Sequence, residues 1–176
     1  GHATVHAELM PGGLQALVIR NEGLSVAVVP DLGAKIISIR DRRGGREWLW
    51  QNPYVDLRAA ELDADYVGYD LSGWDECFPS VGRVVFADEP WEGKSTGDHG
   101  EVWCRPWDAD MAQSALVTTI AGARFPYTLT RRISLRDPRT LRVDYALEVD
   151  GDVPLRALWA AHALFAVEPG MRIEFP

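Results

Sequence analysis

Two histidines carry the clearest capacity for chemistry. His99 lies in Asp98-His99-Gly100-Glu101, at the end of the irregular, glycine-punctuated stretch 87–100. Imidazole is the side chain that exchanges protons near neutral pH, and a loop histidine beside glycine can approach a bound molecule closely. His162 lies in Trp159-Ala160-Ala161-His162-Ala163-Leu164-Phe165, with apolar neighbours on both faces of an expected strand. Burial is therefore expected, and it disfavours imidazolium unless a carboxylate stands nearby. Such a histidine is either a core side chain satisfied by hydrogen bonds or an acid–base group, and the spacing fits both. The third unusual stretch is Gly73-Trp74-Asp75-Glu76-Cys77-Phe78-Pro79. A sugar can stack its C–H face on Trp74 while Asp75 and Glu76 accept bonds from its hydroxyls. A core tryptophan beside two solvated acids is the alternative. Tyr66, Tyr69, Trp91, Trp103 and Trp107 add rings around the same loops, as an aromatic-lined pocket requires.

Other chemistries fall away. Gly93-Lys94-Ser95 looks like the end of a phosphate-binding loop, but Asp88 stands where that motif needs its first glycine. Cys77 and Cys104 form neither a disulfide framework nor a zinc site, so two reduced thiols, no metal and no cofactor are expected. The formal charge of −8 argues against non-specific nucleic-acid binding. A small anion could still be read by a local cluster such as Arg42-Arg43 or Arg131-Arg132. No apolar run approaches the roughly 18 residues of a membrane span, so no membrane partner is expected, and with no secretory signal read after Gly1-His2 the cytoplasm is the expected compartment. Gly1-His2 reads as a tag remnant, and residues 1–13 as a tail that includes His6.

The elements that must position these groups follow a period of two. Phe125, Tyr127, Leu129, Arg131, Ile133 and Leu135 share one face; after Asp137-Pro138, so do Leu141, Val143, Tyr145, Leu147 and Val149. This predicts an antiparallel hairpin, with Arg131 on its apolar face. A buried arginine is costly without a partner, so something anionic or hydroxyl-rich should meet it. Runs 14–20, 24–29 and 34–40 are separated by Asn21-Glu22-Gly23 and Pro30-Asp31-Leu32-Gly33, both turn signals. Further strand runs are read at 47–50, 81–86, 101–107, 115–121, 155–167 and 171–175, with one short helix at 57–66. The pattern predicts an all-β, antiparallel β-sandwich.

In order along the chain, these segments resemble the galactose mutarotase-like (aldose 1-epimerase) superfamily, in particular a bacterial branch of it. The resemblance rests on 24–40 followed by Glu47-Trp48-Leu49-Trp50, then on 73–79, Asp98-His99-Gly100-Glu101, 129–135 and 162–173, and it spans 14–176 as one domain. It implies a large twisted sandwich that binds a small-molecule aldose. His162 matches the family's general acid, His99 the histidine that holds the sugar and its ring oxygen, and Arg131 a substrate-binding arginine. Trp74, Asp75, Glu76 and Glu101 are the further candidates for contact with the sugar.

The departure is the family's general-base glutamate, which comes later than Pro176 and matches no residue here. The expectation is therefore an incomplete sandwich, a 176-residue chain that is weak or inactive as a mutarotase, and either self-association or pairing with a C-terminal portion. A non-catalytic carbohydrate-binding fragment and a hexose-phosphate epimerase are the competing readings.

Overall fold

A computed structural model describes residues 2–174. Among these residues, twelve strands alternate with turns and only short 3-10 segments. The first sheet contains β1 (Thr4–Leu9), β2 (Gln15–Arg20), β3 (Leu24–Val29), β4 (Lys35–Asp41), β5 (Trp74–Cys77) and β12 (Ala160–Ala163). Their spatial order is β1-β2-β3-β4-β5-β12. The second contains β8 (Asp108–Ala112), β9 (Ala115–Ala121), β10 (Tyr127–Asp137) and β11 (Thr140–Val149), in the order β11-β10-β9-β8. A small ribbon of β6 (Val84–Val85) and β7 (Ser95–Thr96) stands apart. Every strand pair is antiparallel. The architecture is an all-β sandwich.

The alternation read from the sequence puts branched and aromatic side chains between the sheets. Ile19, Val26, Val28 and Ile36 of the first sheet pack with Leu116, Tyr127, Leu129 and Ile133 of the second in one buried cluster. At about 25 cal/mol per Å² of apolar surface, this layer supplies the main driving force for closure. Arg131 shares that inward face and is wholly buried. Gly33, at φ 67°, ends the turn between β3 and β4; a Cβ there would run into the Trp103 backbone. Glycine is thus required both for the conformation and for the close approach of the segment that carries Trp103.

Several boundaries differ from the sequence reading. Thr4–Leu9 is no tail: its six residues pair with Gln15–Arg20, and Val5 packs against the core. The helix expected at 57–66 is irregular chain ending in one 3-10 turn, Tyr66–Gly68. Residues 101–107 form turns and bends instead of a strand, with Val102, Trp103 and Trp107 all buried. Run 155–167 contributes only Ala160–Ala163 and a bridge from Phe165 to Leu49. Residues 171–174 carry no strand, and Phe175 lies outside the described residues. Strand β8 has no counterpart in the sequence reading; its sequence, DADMA, has little β propensity and is held by pairing with β9. Among the described residues no helix is long and apolar enough to cross a membrane.

Candidate functional site

Strands β5 and β12 run antiparallel at one end of the first sheet, with His162 directly opposite Asp75. Strand alternation divides β5 between two environments. Trp74 packs against the inter-sheet core and Glu76 bonds to the second sheet, whereas Asp75 faces the other way, with His162. The turn at Tyr66–Gly68 and the segment 97–104 fold over that outer face. Tyr66, Trp103 and Cys104 form a small buried cluster there. The Tyr66 ring stacks on His99 with 4.0 Å between centroids and meets His162 edge-on at 5.3 Å. The two imidazoles are 5.0 Å apart.

His99 is held in an uncommon backbone conformation, φ 61°, followed by Gly100 at φ 80°. The loop is pinned to β5 through a bridge between Phe78 and Gly100. Asp98 bonds to His99 Nδ1 at 2.9 Å through one oxygen and accepts the Tyr66 N–H at 3.1 Å through the other. Burial pushes this carboxyl upward, but the bonds from Tyr66 and His99 outweigh it and hold Asp98 below the usual carboxylate range. With Nδ1 engaged, Nε2 is the His99 nitrogen left for a ligand. A Cβ on Gly100 would collide with the Phe78 backbone. Gly100→Ala is therefore expected to lower stability by more than about 1 kcal/mol. It should also move His99 off the Tyr66 ring, which thermal melts and the ring-current shifts of the His99 protons will report.

Behind the histidines lies a buried charge cluster. Lys35 Nζ is 2.6 Å from Asp70 Oδ2 and 3.3 Å from Asp75 Oδ2. Ser72 Oγ donates to the same Asp70 oxygen at 2.6 Å. Tyr66 donates its hydroxyl to Asp75 at 2.8 Å and lies 3.4 Å from His162 Nδ1. Two carboxylates thus share one ammonium, and Asp70 holds it more closely. Burial, opposed in part by Lys35 and Tyr66 and reinforced by Asp70, pushes the Asp75 carboxyl up to about 6. Burial, then the neighbouring His99 and Lys35, hold His162 below the usual imidazole value. Burial also pushes the Cys77 thiol up to about 12, so it is no nucleophile. Beside His162 opens a groove of about 1070 Å³, lined by Trp48, Trp50, Tyr66, Leu71 and Phe165, with Arg172 among its polar residues.

Of the residues singled out from sequence, His99, His162 and Asp75 come together. Trp74, Glu76, Glu101 and Arg131 do not join them. Arg131 and Glu76 are wholly buried and bond to each other at 2.9 Å. The anionic group that Arg131 was expected to meet is thus inside the protein. Glu76 also accepts from Tyr145 at 2.7 Å and from Trp159 Nε1 at 2.9 Å. Glu101, also wholly buried, accepts from the Tyr127 hydroxyl at 2.8 Å and the Ala123 N–H at 2.9 Å. Trp74 faces the core because it sits one position from Asp75 on the same strand. Sequence reasoning missed Lys35, Asp70 and the linking part played by Tyr66. One signal was available: Lys35 is one of only two lysines and sits in an apolar strand run. Among the described residues, no group of three or more His, Cys, Asp or Glu is placed to hold a metal ion.

No protein-family model matches the chain, and no curated protein matches it. Solved structures do. HI1317 superposes with a TM-score of 0.55 at 13% identity, over 94% of this chain and 57% of its own. The 4-alpha-glucanotransferase of Thermococcus litoralis gives 0.51 at 11% identity, over 84% of this chain and 25% of its own. A galactose mutarotase-like protein of Clostridium acetobutylicum gives 0.50 at 13% identity, over 83% of this chain and 49% of its own. The chain therefore spans less than two thirds of the length of each of these proteins. At such identities the likeness is one of architecture: the chain carries the β-sandwich found in a galactose mutarotase-like protein.

Proposed function

We propose that the chain binds an aldose beside His99 and His162 and acts on its anomeric centre, as an aldose 1-epimerase does. The observation that carries this reading is the pair of imidazoles 5.0 Å apart, on one face of the sheet, next to an aromatic-lined groove. Interconverting anomers requires a proton delivered to the ring oxygen and one removed from the anomeric hydroxyl. The ring opens, the C1–C2 bond rotates, and the ring closes with the roles exchanged. Positioned acid–base groups suffice for this. In this reading His162 serves the ring oxygen, His99, fixed by Asp98, holds the sugar through Nε2, and solvent water takes the anomeric proton, which makes conversion by this chain slow. Trp48 and Trp50, both partly exposed, offer faces on which a sugar ring can stack.

Neither arginine pair of the sequence supplies a phosphate site, and Arg172 is the arginine that lines the groove beside His162. Arg131 is bonded to Glu76, Arg42 to the Asn21 carbonyl and Arg43 to Glu22, so neither arginine pair faces the histidines. Polarimetry of freshly dissolved α-glucose and α-galactose, beside calorimetric titration with a panel of aldoses, tests the proposal. Conversion or binding that disappears in His162→Gln supports it. Absence of both with the folded wild-type chain rejects it.

A further inference from the structure

We propose that Asp75, Tyr66 and His162 form a proton wire, in which the Tyr66 hydroxyl carries protons between a buried carboxyl and the Nδ1 atom of His162. Its use on a sugar rests on the function proposed above; the wire itself is a property of the chain.

Tyr66 Oη lies 2.8 Å from Asp75 Oδ2 and 3.4 Å from His162 Nδ1. A hydroxyl has one proton and can accept as well as donate, so only two arrangements satisfy the line. With Asp75 ionised, Tyr66 donates to Asp75 and accepts from His162 Nδ1–H, which leaves Nε2 bare. With Asp75 protonated, Asp75 donates to Tyr66, Tyr66 donates to Nδ1, and the hydrogen of His162 sits on Nε2. The state of Asp75 therefore decides whether Nε2 takes or gives a proton.

Three further observations fit a carboxyl that changes state. Asp75 Oδ1 is buried without a hydrogen-bond partner, which costs less for a neutral acid than for a carboxylate. Charge balance among Lys35, Asp70 and Asp75 leaves one negative charge in excess when both acids are ionised. Burial raises the Asp75 carboxyl into the range where the proton is exchanged near neutral pH. The groups that act on Asp75 are Lys35 from β4, Asp70 and Tyr66 from the covering segment, and His162 from the paired strand. The Tyr66 phenol itself is raised by burial and by Asp75, so it passes protons on and does not keep the charge.

The step balances. His162 gives its Nε2 proton to the ring oxygen of the bound aldose as the C1–O5 bond breaks with its electron pair on that oxygen and solvent water takes the anomeric proton; Nδ1 receives the Tyr66 proton, and Tyr66 is refilled by Asp75. The imidazole begins and ends neutral, and the negative charge finishes on Asp75, 3.3 Å from Lys35 Nζ. A histidine held below its ordinary value, as His162 is, is protonated to imidazolium less readily than an ordinary one. A neutral ring refilled from behind avoids that state. Run in reverse, the wire takes a proton from a hydroxyl.

Long-range 1H–15N correlation spectra of the 15N-histidine-labelled full chain test the wire without any substrate. At pH 7.5 the wild-type His162 is expected to carry its hydrogen on Nδ1, and on acidification to move it to Nε2 in step with a 13C-observed titration of Asp75. Tyr66→Phe, which keeps the ring stack, should return His162 at pH 7.5 to the Nε2–H form that an unconstrained imidazole prefers. Asp75→Asn should remove the acid-side step. A wild-type His162 already in the Nε2–H form at pH 7.5 overturns the proposal, as does an unchanged tautomer in folded Tyr66→Phe. Failure of aldose binding leaves these spectra unaltered, and failure of the wire leaves aldose binding measurable, so the two proposals fall separately.

Discussion

Arg131→Met is expected to cost about 3–5 kcal/mol of folding stability, a large fraction of what a domain of this size possesses. The guanidinium is wholly buried between the sheets, donates to Glu76 Oε1 at 2.9 Å and to the Ala34 carbonyl, and lies over the Trp107 ring. Removing it leaves Glu76 charged in the interior with only Tyr145 and Trp159 as donors. The loss comes from that stranded charge more than from any net worth of the ion pair, and the double variant shows why. In Glu76→Gln with Arg131→Met no charge is buried, the new side-chain amide can still accept from Trp159 or Tyr145 through its carbonyl, and most of the lost stability should return. Urea unfolding of the four proteins in the cycle measures this. A single variant within about 1 kcal/mol of wild type, or a double variant as unstable as the single, contradicts the assignment. Trp159 immediately precedes β12, so the single variant should also loosen the strand that carries His162.

The second large effect concerns Asp75 and pH. Its carboxyl is raised in the folded state from an ordinary 3.8 to about 6 by burial, with Lys35 and Tyr66 opposing. A folded-state value above the unfolded one means that the native protein binds more protons across this window. Stability is therefore greatest below about 4 as far as Asp75 is concerned, falls as pH rises through 6, and stays lowered above it. At roughly 1.4 kcal/mol per unit, the change is on the order of 3 kcal/mol. Asp75→Asn mimics the neutral acid at every pH. The difference in unfolding free energy between variant and wild type should shift in the variant's favour by about that amount between pH 4 and pH 8. Denaturant titrations at matched pH values will show it, and a pH-independent difference would mean that the Asp75 charge carries no penalty.

Much of the architecture was legible because branched residues alternate so regularly. Run 24–29 coincides with β3 and run 115–121 with β9, and the hairpin of β10 and β11 was displaced by only a residue or two. Strand β1 was not seen, because TVHAEL near a chain start, with two polar residues and one histidine, reads equally well as tail. Its order comes from the partner strand. The site was legible in part. His99, His162 and Asp75 announced themselves through local context. Lys35 and Asp70 did not, because their meaning lies in a contact across 35 positions, made only when the covering segment folds down. Glu76 and Arg131 bond to each other, a pairing across 55 positions that residue type alone does not announce.

The first sheet has a weak seam. β1 to β4 are joined by successive hairpins, with one register shift between Ala27 and Val28, but β5 meets β4 at one residue pair, Ile36 with Trp74. β12 pairs with β5 across a long stretch of chain. Closing that loop costs entropy that the hairpins avoid, so the meander should condense first and the β5–β12 ladder last. Amide hydrogens of Asp75 to Cys77 and of Ala160 to Ala163 should accordingly exchange through partial opening, while those of β2, β3, β9 and β10 wait for global unfolding. The residues with the most chemistry thus sit on the strand pairing expected to form last, tied to the scaffold through the Glu76–Arg131 pair.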